Sequence, residues 1–135
     1  MNRWAFRSYI EGGVDQIRLW YGQQPLDVQA ELLNIIMYLR DTPADDWVRP
    51  DYDQLKGSLA DLGELRVINV EASLRVHYRV LGFMDQRALE FTMLAADRKT
   101  RRFSYREIGA LALRRKALIH SSRPTYSGPA NWIFI

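Results

Sequence analysis

The sequence has no cysteine, which excludes a disulfide framework, a thiolate metal site and a cysteine nucleophile, and which fits a reducing compartment. Its two histidines, His77 and His120, stand 43 positions apart with no carboxylate at ligand spacing to either, so no metal is expected. No apolar run approaches the roughly 18 residues of a membrane span, and no secretory leader is recognisable. A cytoplasmic chain without membrane contact is the expectation. Gly12-Gly13 lacks the lysine and the helix-entry spacing of a phosphate loop. No nucleophile elbow marks a Ser-His-Asp site, and no repeat or low-complexity segment is present.

What remains is one domain's length, 135 residues, with 47% hydrophobic and 26% charged residues, outside the range of disordered chains. The net charge of +3 hides an asymmetry. Up to Leu65 there are 6 Lys/Arg against 11 Asp/Glu; from Arg66 onward there are 13 against 5. Sixteen of the nineteen cations are arginine, whose planar fork suits bidentate phosphate recognition. A basic surface confined to one side is the footprint expected for a polyanion partner.

Residues 4–10 mix aromatic, β-branched and charged types and read as a strand stopped by Gly12-Gly13. A short helix is expected from Val14, ended by the 22–25 stretch. A second helix over 25–40 follows, because Val28, Leu32, Ile35, Ile36 and Leu39 form a stripe of 3.6-residue period. Residues 41–53 are polar, acidic and proline-bearing and read as a loop, and 55–63 has no assignable element. Three strands are expected over 65–70, 74–83 and 88–96, as an antiparallel meander. In the middle strand Leu74, Val76, Tyr78 and Val80 alternate with Arg75, His77 and Arg79. Ser104 and Glu107 have capping-box spacing ahead of a helix over 105–118. The apolar Trp132-Ile133-Phe134-Ile135 adds an edge strand, covers the core or meets a partner.

The order implies an α+β domain, a mostly antiparallel sheet with the two N-terminal helices packed on one face and a C-terminal helix. The stripe of the second helix is expected to pack on Val76, Tyr78 and Val80, leaving Arg75, His77 and Arg79 on an open basic face. The basic and aromatic cluster comprises Lys56, Arg66, Arg75, His77, Arg79, Arg98, Lys99, Arg101, Arg102 and Tyr105. RNA cleavage needs no metal, because the 2′-hydroxyl is the nucleophile and the protein need supply only an acid, a base and cations around the phosphate. A solvated basic face, or simple nucleic-acid binding, fits the same composition.

The run LKGSLADLGELRVINVEASLRVHYRVLGF, followed by FTMLAADRKTRRFSYREIGALALRR, resembles the RelE/HigB superfamily of bacterial type II toxins, in particular its phage-associated HigB-like branch. The resemblance rests on an L-x-G element, an ELR strand start, a YR strand, a buried strand ending in a basic turn, and a terminal helix. It spans residues 1–119 as a toxin domain and gives 120–135 no role. It implies a cytoplasmic, ribosome-dependent mRNA endoribonuclease (an mRNA interferase) that leaves 2′,3′-cyclic phosphate and 5′-hydroxyl ends and uses no cofactor. By the resemblance Arg66 lies near the scissile phosphate, and Arg79 stabilises its developing charge. Arg98 and Lys99 contact the phosphate or protonate the leaving oxygen, and Tyr105 stacks a base or assists proton transfer. His77 is the candidate base, and Lys56, Arg75, Arg101 and Arg102 are RNA contacts. If cleavage occurs, Arg79→Ala is expected to remove most of it while leaving the fold intact.

The sequence departs from the family where a second sheet lysine is replaced by Ile68, and no base occupies the matched positions. Implied partners are a helix-turn-helix antitoxin and mRNA on the ribosome, and the resemblance allows a homodimer or a toxin-antitoxin hetero-oligomer. Competing readings are a ParE-like gyrase inhibitor, a degenerate partner-binding module of the same fold, or an unrelated RNA-binding domain. A purely structural reading pairs Arg66 and Arg79 with Glu64, Glu71 or Glu90, leaves Arg101 and Arg102 solvated, and puts Tyr105 in the core.

Overall fold

The computed structural model describes residues 3–101 and 104–134. Arg102 therefore lies outside the described residues. The first strand, β1 (Ala5–Glu11), turns at Gly12 and Gly13, whose φ angles of +58° and +77° are the left-handed values that a two-residue hairpin loop demands. The chain returns as a two-residue strand, β2 (Val14–Asp15), before helix α1 (Gln16–Tyr21) begins. The glycine pair thus makes a hairpin and does not simply stop a strand. The helix starts late because the Asp15 carboxylate accepts the Ile17 and Arg18 amides at 3.0 and 2.9 Å, a side-chain cap on its first turn.

Helix α2 (Leu26–Arg40) buries Val28, Leu32, Ile35, Ile36 and Leu39, the stripe read from the sequence. After a 3₁₀ turn come β3 (Tyr52–Gln54), a second such turn at Gly57–Leu59, and the antiparallel meander β4 (Gly63–Glu71), β5 (Leu74–Asp85) and β6 (Glu90–Lys99). The sheet order is β2-β1-β6-β5-β4-β3, antiparallel except where β1 runs parallel to β6. At the Leu81–Gly82 irregularity in β5, a Cβ on Gly82 would lie 2.3 Å from the Thr92 carbonyl oxygen, so only glycine fits there.

Helix α3 (Arg106–Ser121) begins where expected, but Ser104 Oγ accepts the Arg106 amide at 3.1 Å, not that of Glu107. Helix α3 also corrects the expectation of an open sheet face. One core holds the α2 stripe and Ile17 of α1 with Phe6, Val76, Tyr78, Val80, Phe91 and Met93. A second core on the other face holds Ile108, Ala112 and Ile119 of α3 with Tyr9, Leu81, Leu94 and Ala95. Helices cover both faces because the central strands are apolar on both. Val80 and Leu81 are both fully buried, as are Met93, Leu94 and Ala95.

Of the three roles open to the stretch 132–135, the structure shows Ile133 covering the core, whereas the added edge strand is made upstream, by residues 127–129. Following α4 (Arg123–Tyr126), β7 (Ser127–Pro129) pairs antiparallel with β1, Ser8 facing Gly128. Ala130 and Ile133 then enter the first core, and the Trp132 indole donates to Asp15 at 2.8 Å. The edge of β1 is thereby closed.

Candidate functional site

Register places the candidate residues, because directly opposed residues of an antiparallel pair share a face. Arg66 of β4 faces Arg79 of β5, which faces Asp97 of β6; in the next row Ile68, His77 and Lys99 align, and in the next Val70 faces Arg75. All lie on the face that α3 partly covers. Helix α3 reaches the row of Leu81 and Ala95, and its entry at Ser104 and Tyr105 seals the row of Arg79. The rows of His77 and Arg75 lie beyond it.

Two guanidinium groups directly opposed repel unless each has a counter-charge. Arg79 is 1% exposed and forks onto Asp97, with Nε to Oδ1 at 2.9 Å and Nη2 to Oδ2 at 2.7 Å. The same Nη2 donates to the Ser104 carbonyl at 3.0 Å, and the guanidinium lies 4.7 Å from the Tyr105 ring centre. Arg79 is therefore not on an open face and does not present its guanidinium to solvent. Arg66 meets Glu64 Oε1 at 2.6 Å through Nη2, and that Nη2 also reaches the Tyr105 hydroxyl at 3.3 Å. Glu64 is fully buried, and its Oε2 has no hydrogen-bond partner among the described residues. The result is a knot of two arginines and two carboxylates around one tyrosine. Burial first, and the negative charge of Glu64 second, raise the Tyr105 phenol above its ordinary value and keep it protonated.

Arg66 and Tyr105 emerge into a cleft of ≈ 330 Å³ that Arg49, Lys56, Asp53 and Leu59 also line. Lys56 and Arg49 are exposed, and Arg49 pairs with Asp53 at 2.9 Å. Three cations and a protonated phenol thus line one depression, together with the carboxylate of Asp53. Helix α3 and the loop before β4 bring the parts together.

Arg98 does not join them. Consecutive strand residues point to opposite faces, so Arg98 and Lys99 cannot form one basic pair. Arg98 lies on the α2 face, where it reaches the Tyr78 hydroxyl at 3.3 Å and Glu71 at 3.1 Å. Lys99 is half-buried beside His77, whereas Arg75 and Arg101 are exposed. Among the described residues no three His, Cys, Asp or Glu side chains converge as a metal-binding group, and no helix is long and apolar enough to cross a membrane.

His77 is pushed below its ordinary value of 6.5 by burial first and then by Arg66, Arg75 and Arg79, so it is neutral at pH 7. The unfolded chain, with the higher pKa, binds this proton more tightly. The site therefore costs stability as pH falls through 6.5 toward the lowered value, and costs nothing above that window. Arg75→Ala should move the His77 pKa upward in an NMR titration of the imidazole, since it removes one repelling charge. A titration midpoint that stays in place would remove Arg75 from this account.

Sequence reasoning missed Asp97, Arg49 and Asp53. Asp97 sits next to Arg98 in the sequence, and only the β5–β6 register shows that it faces Arg79. Glu64 was legible as a partner for Arg66, because residues two apart in a strand share a face. Comparison with known proteins gives no matching family model, no matching curated protein and no matching solved structure.

Proposed function

We propose that the protein is a type II toxin of RelE/HigB-like fold that cleaves mRNA on the ribosome without a metal. The observation that carries this reading is the convergence of Arg66, Tyr105, Lys56 and Arg49 on one cleft. Its support from the fold is that β1, α1, α2, the β4–β6 meander and α3 follow one another in the order the resemblance implies, with the short strands β2 and β3 interposed. In this reading Lys56 and Arg49 hold the phosphates flanking the scissile one. The 2′-oxygen attacks phosphorus as His77, neutral at pH 7, takes its proton, and the P–O5′ bond breaks. Tyr105 gives its proton to the leaving 5′-oxygen, and Arg66 neutralises charge on the pentacoordinate phosphorus. Arg79 holds the Tyr105 ring from beneath and touches no phosphate. Such a toxin works in the cytoplasm and is held inactive by a helix-turn-helix antitoxin over its cationic face.

A second reading, the same fold without nuclease activity, has one observation in its favour. The arginine that the resemblance assigns to the phosphate is buried in a bidentate pair with Asp97. Induced expression followed by primer-extension mapping of cellular mRNA separates the two. Codon-registered cleavage that falls about a hundredfold in Arg66→Ala, the size expected for losing one positioned charge donor, is the nuclease result. Growth arrest without such cleavage, or with altered DNA supercoiling, would refute it.

A further inference from the structure

Strand β4 is paired on its outer side only where β3 reaches it, at Gly63 to Leu65. From Arg66 to Glu71 no strand and no backbone hydrogen bond among the described residues meets that side. Alternate peptide groups of a six-residue stretch therefore point outward, a template for one more strand. Next to this edge lies a groove of ≈ 360 Å³ between β4, α2 and the loop at Pro50, with Val28, Ile35 and Val67 as its apolar floor. Its rim carries Asp27, Glu31 and Asp51. The side chains of Glu31 and Asp51 have no hydrogen bond or ion pair among the described residues, in a protein with more cations than anions. Arg66, at one end, is already matched by Glu64. On the other side of the same strand Ile68 and Val70 are 45% and 69% exposed.

We propose that this edge takes up an extended segment of another protein in which basic and apolar residues alternate. Added beside residues 66–71, such a segment completes the open hydrogen bonds of β4. Its period of two sends the basic side chains toward Glu31 and Asp51 and the apolar ones against Ile68 and Val70. The charge of the groove sets the choice of occupant. A second copy of this chain pairing edge to edge would bring two sets of Asp27, Glu31 and Asp51 together, and like charges across a strand pair repel. An acidic segment is repelled in the same way. This groove touches the cationic cleft at Arg66, but Glu31 and Asp51 line the groove alone, so the inference does not depend on the nuclease reading.

The test is a fluorescence-polarisation titration of the full chain with a labelled octapeptide of alternating lysine and valine. Saturable binding is expected, weakened about tenfold in the Glu31→Gln/Asp51→Asn double variant, because two exposed charge contacts are lost. Both sites are at the surface, and an unchanged melting temperature shows that the variant is folded. The same octapeptide should slow amide exchange at residues 66–71, and one with glutamate in place of lysine should not bind. The inference is overturned by absence of saturable binding up to millimolar peptide or by equal binding of the glutamate peptide. It is likewise overturned by equal binding to the double variant, or by protection that falls elsewhere.

Discussion

Arg79→Ala is expected to cost about 3 kcal/mol of folding stability, at the lower end of the range for breaking a buried ion pair, because Asp97 keeps some access to water. The alanine leaves the Asp97 carboxylate without its two charge-assisted donors, the Ser104 carbonyl without its partner, and the Tyr105 ring without the cation beneath it. The sequence-based expectation is a variant that loses most of its cleavage and keeps its fold, whereas the buried pair with Asp97 points to a loss of stability. Loss of cleavage in Arg79→Ala would therefore say nothing about contact with phosphate unless stability were measured beside it. Urea denaturation followed by circular dichroism gives the cost directly. The double variant Arg79→Met/Asp97→Leu, which removes both charges, should recover most of the loss. A single variant within 1 kcal/mol of the parent would contradict the buried-pair account.

Trp47→Ala should be about as damaging, at about 4 kcal/mol, the range for removing a large aromatic from a core. Trp47 is 5% exposed and packs its ring within 6 Å of Trp4, Phe6, Tyr52 and Phe91, measured between ring centres. Its indole N–H is shared between the carbonyls of Leu39 and Thr42 at 3.1 and 2.9 Å, which ties the end of α2 to the segment that follows. Trp47→Phe keeps the ring and loses the donor, so it should recover most but not all of the loss. If alanine and phenylalanine variants melt together within error, the packing role assigned to the indole is wrong.

Trp47 also shows where sequence reasoning stopped. The 41–53 stretch is so rich in aspartate and proline that it reads as solvated loop, yet its single tryptophan is an anchor of the larger core. Periodicity found α2 because one helix face is buried continuously, and alternation found the meander. Alternation misled for Arg79. A charged residue at every second position predicts a wet face only if nothing later in the chain covers it, and Ser104 and Tyr105, at the entry to α3, cover Arg79 from far downstream. The available warning was the unbroken run of Met93, Leu94, Ala95 and Ala96, since a strand apolar at consecutive positions is buried on both sides. For the site, the sequence named Arg66, Lys56 and Tyr105 by residue type and resemblance, and only the fold shows that the three line one cleft. It grouped Arg98 with Lys99 by adjacency, which the pleat of a strand forbids. Arg49 carried no signal, because its position depends on how the loop before β3 is folded.

The pairing of β1 has a consequence for the order in which the molecule can be completed. Strand β1 comes long before its neighbours in the chain: the matched residues of β6 begin at Glu90, and β7 begins at Ser127. Until residues 90 and beyond are in place, β1 has only the two residues of β2 beside it, and its remaining amides and carbonyls stay open to solvent. Contacts this distant in sequence carry a large loop-closure cost and slow the approach to the native state. The β4–β5–β6 meander, built from neighbours, can assemble long before. Half of the sheet therefore waits for the other half, and the nascent chain passes through a stage in which the meander is formed while the first strand it must receive is still unplaced.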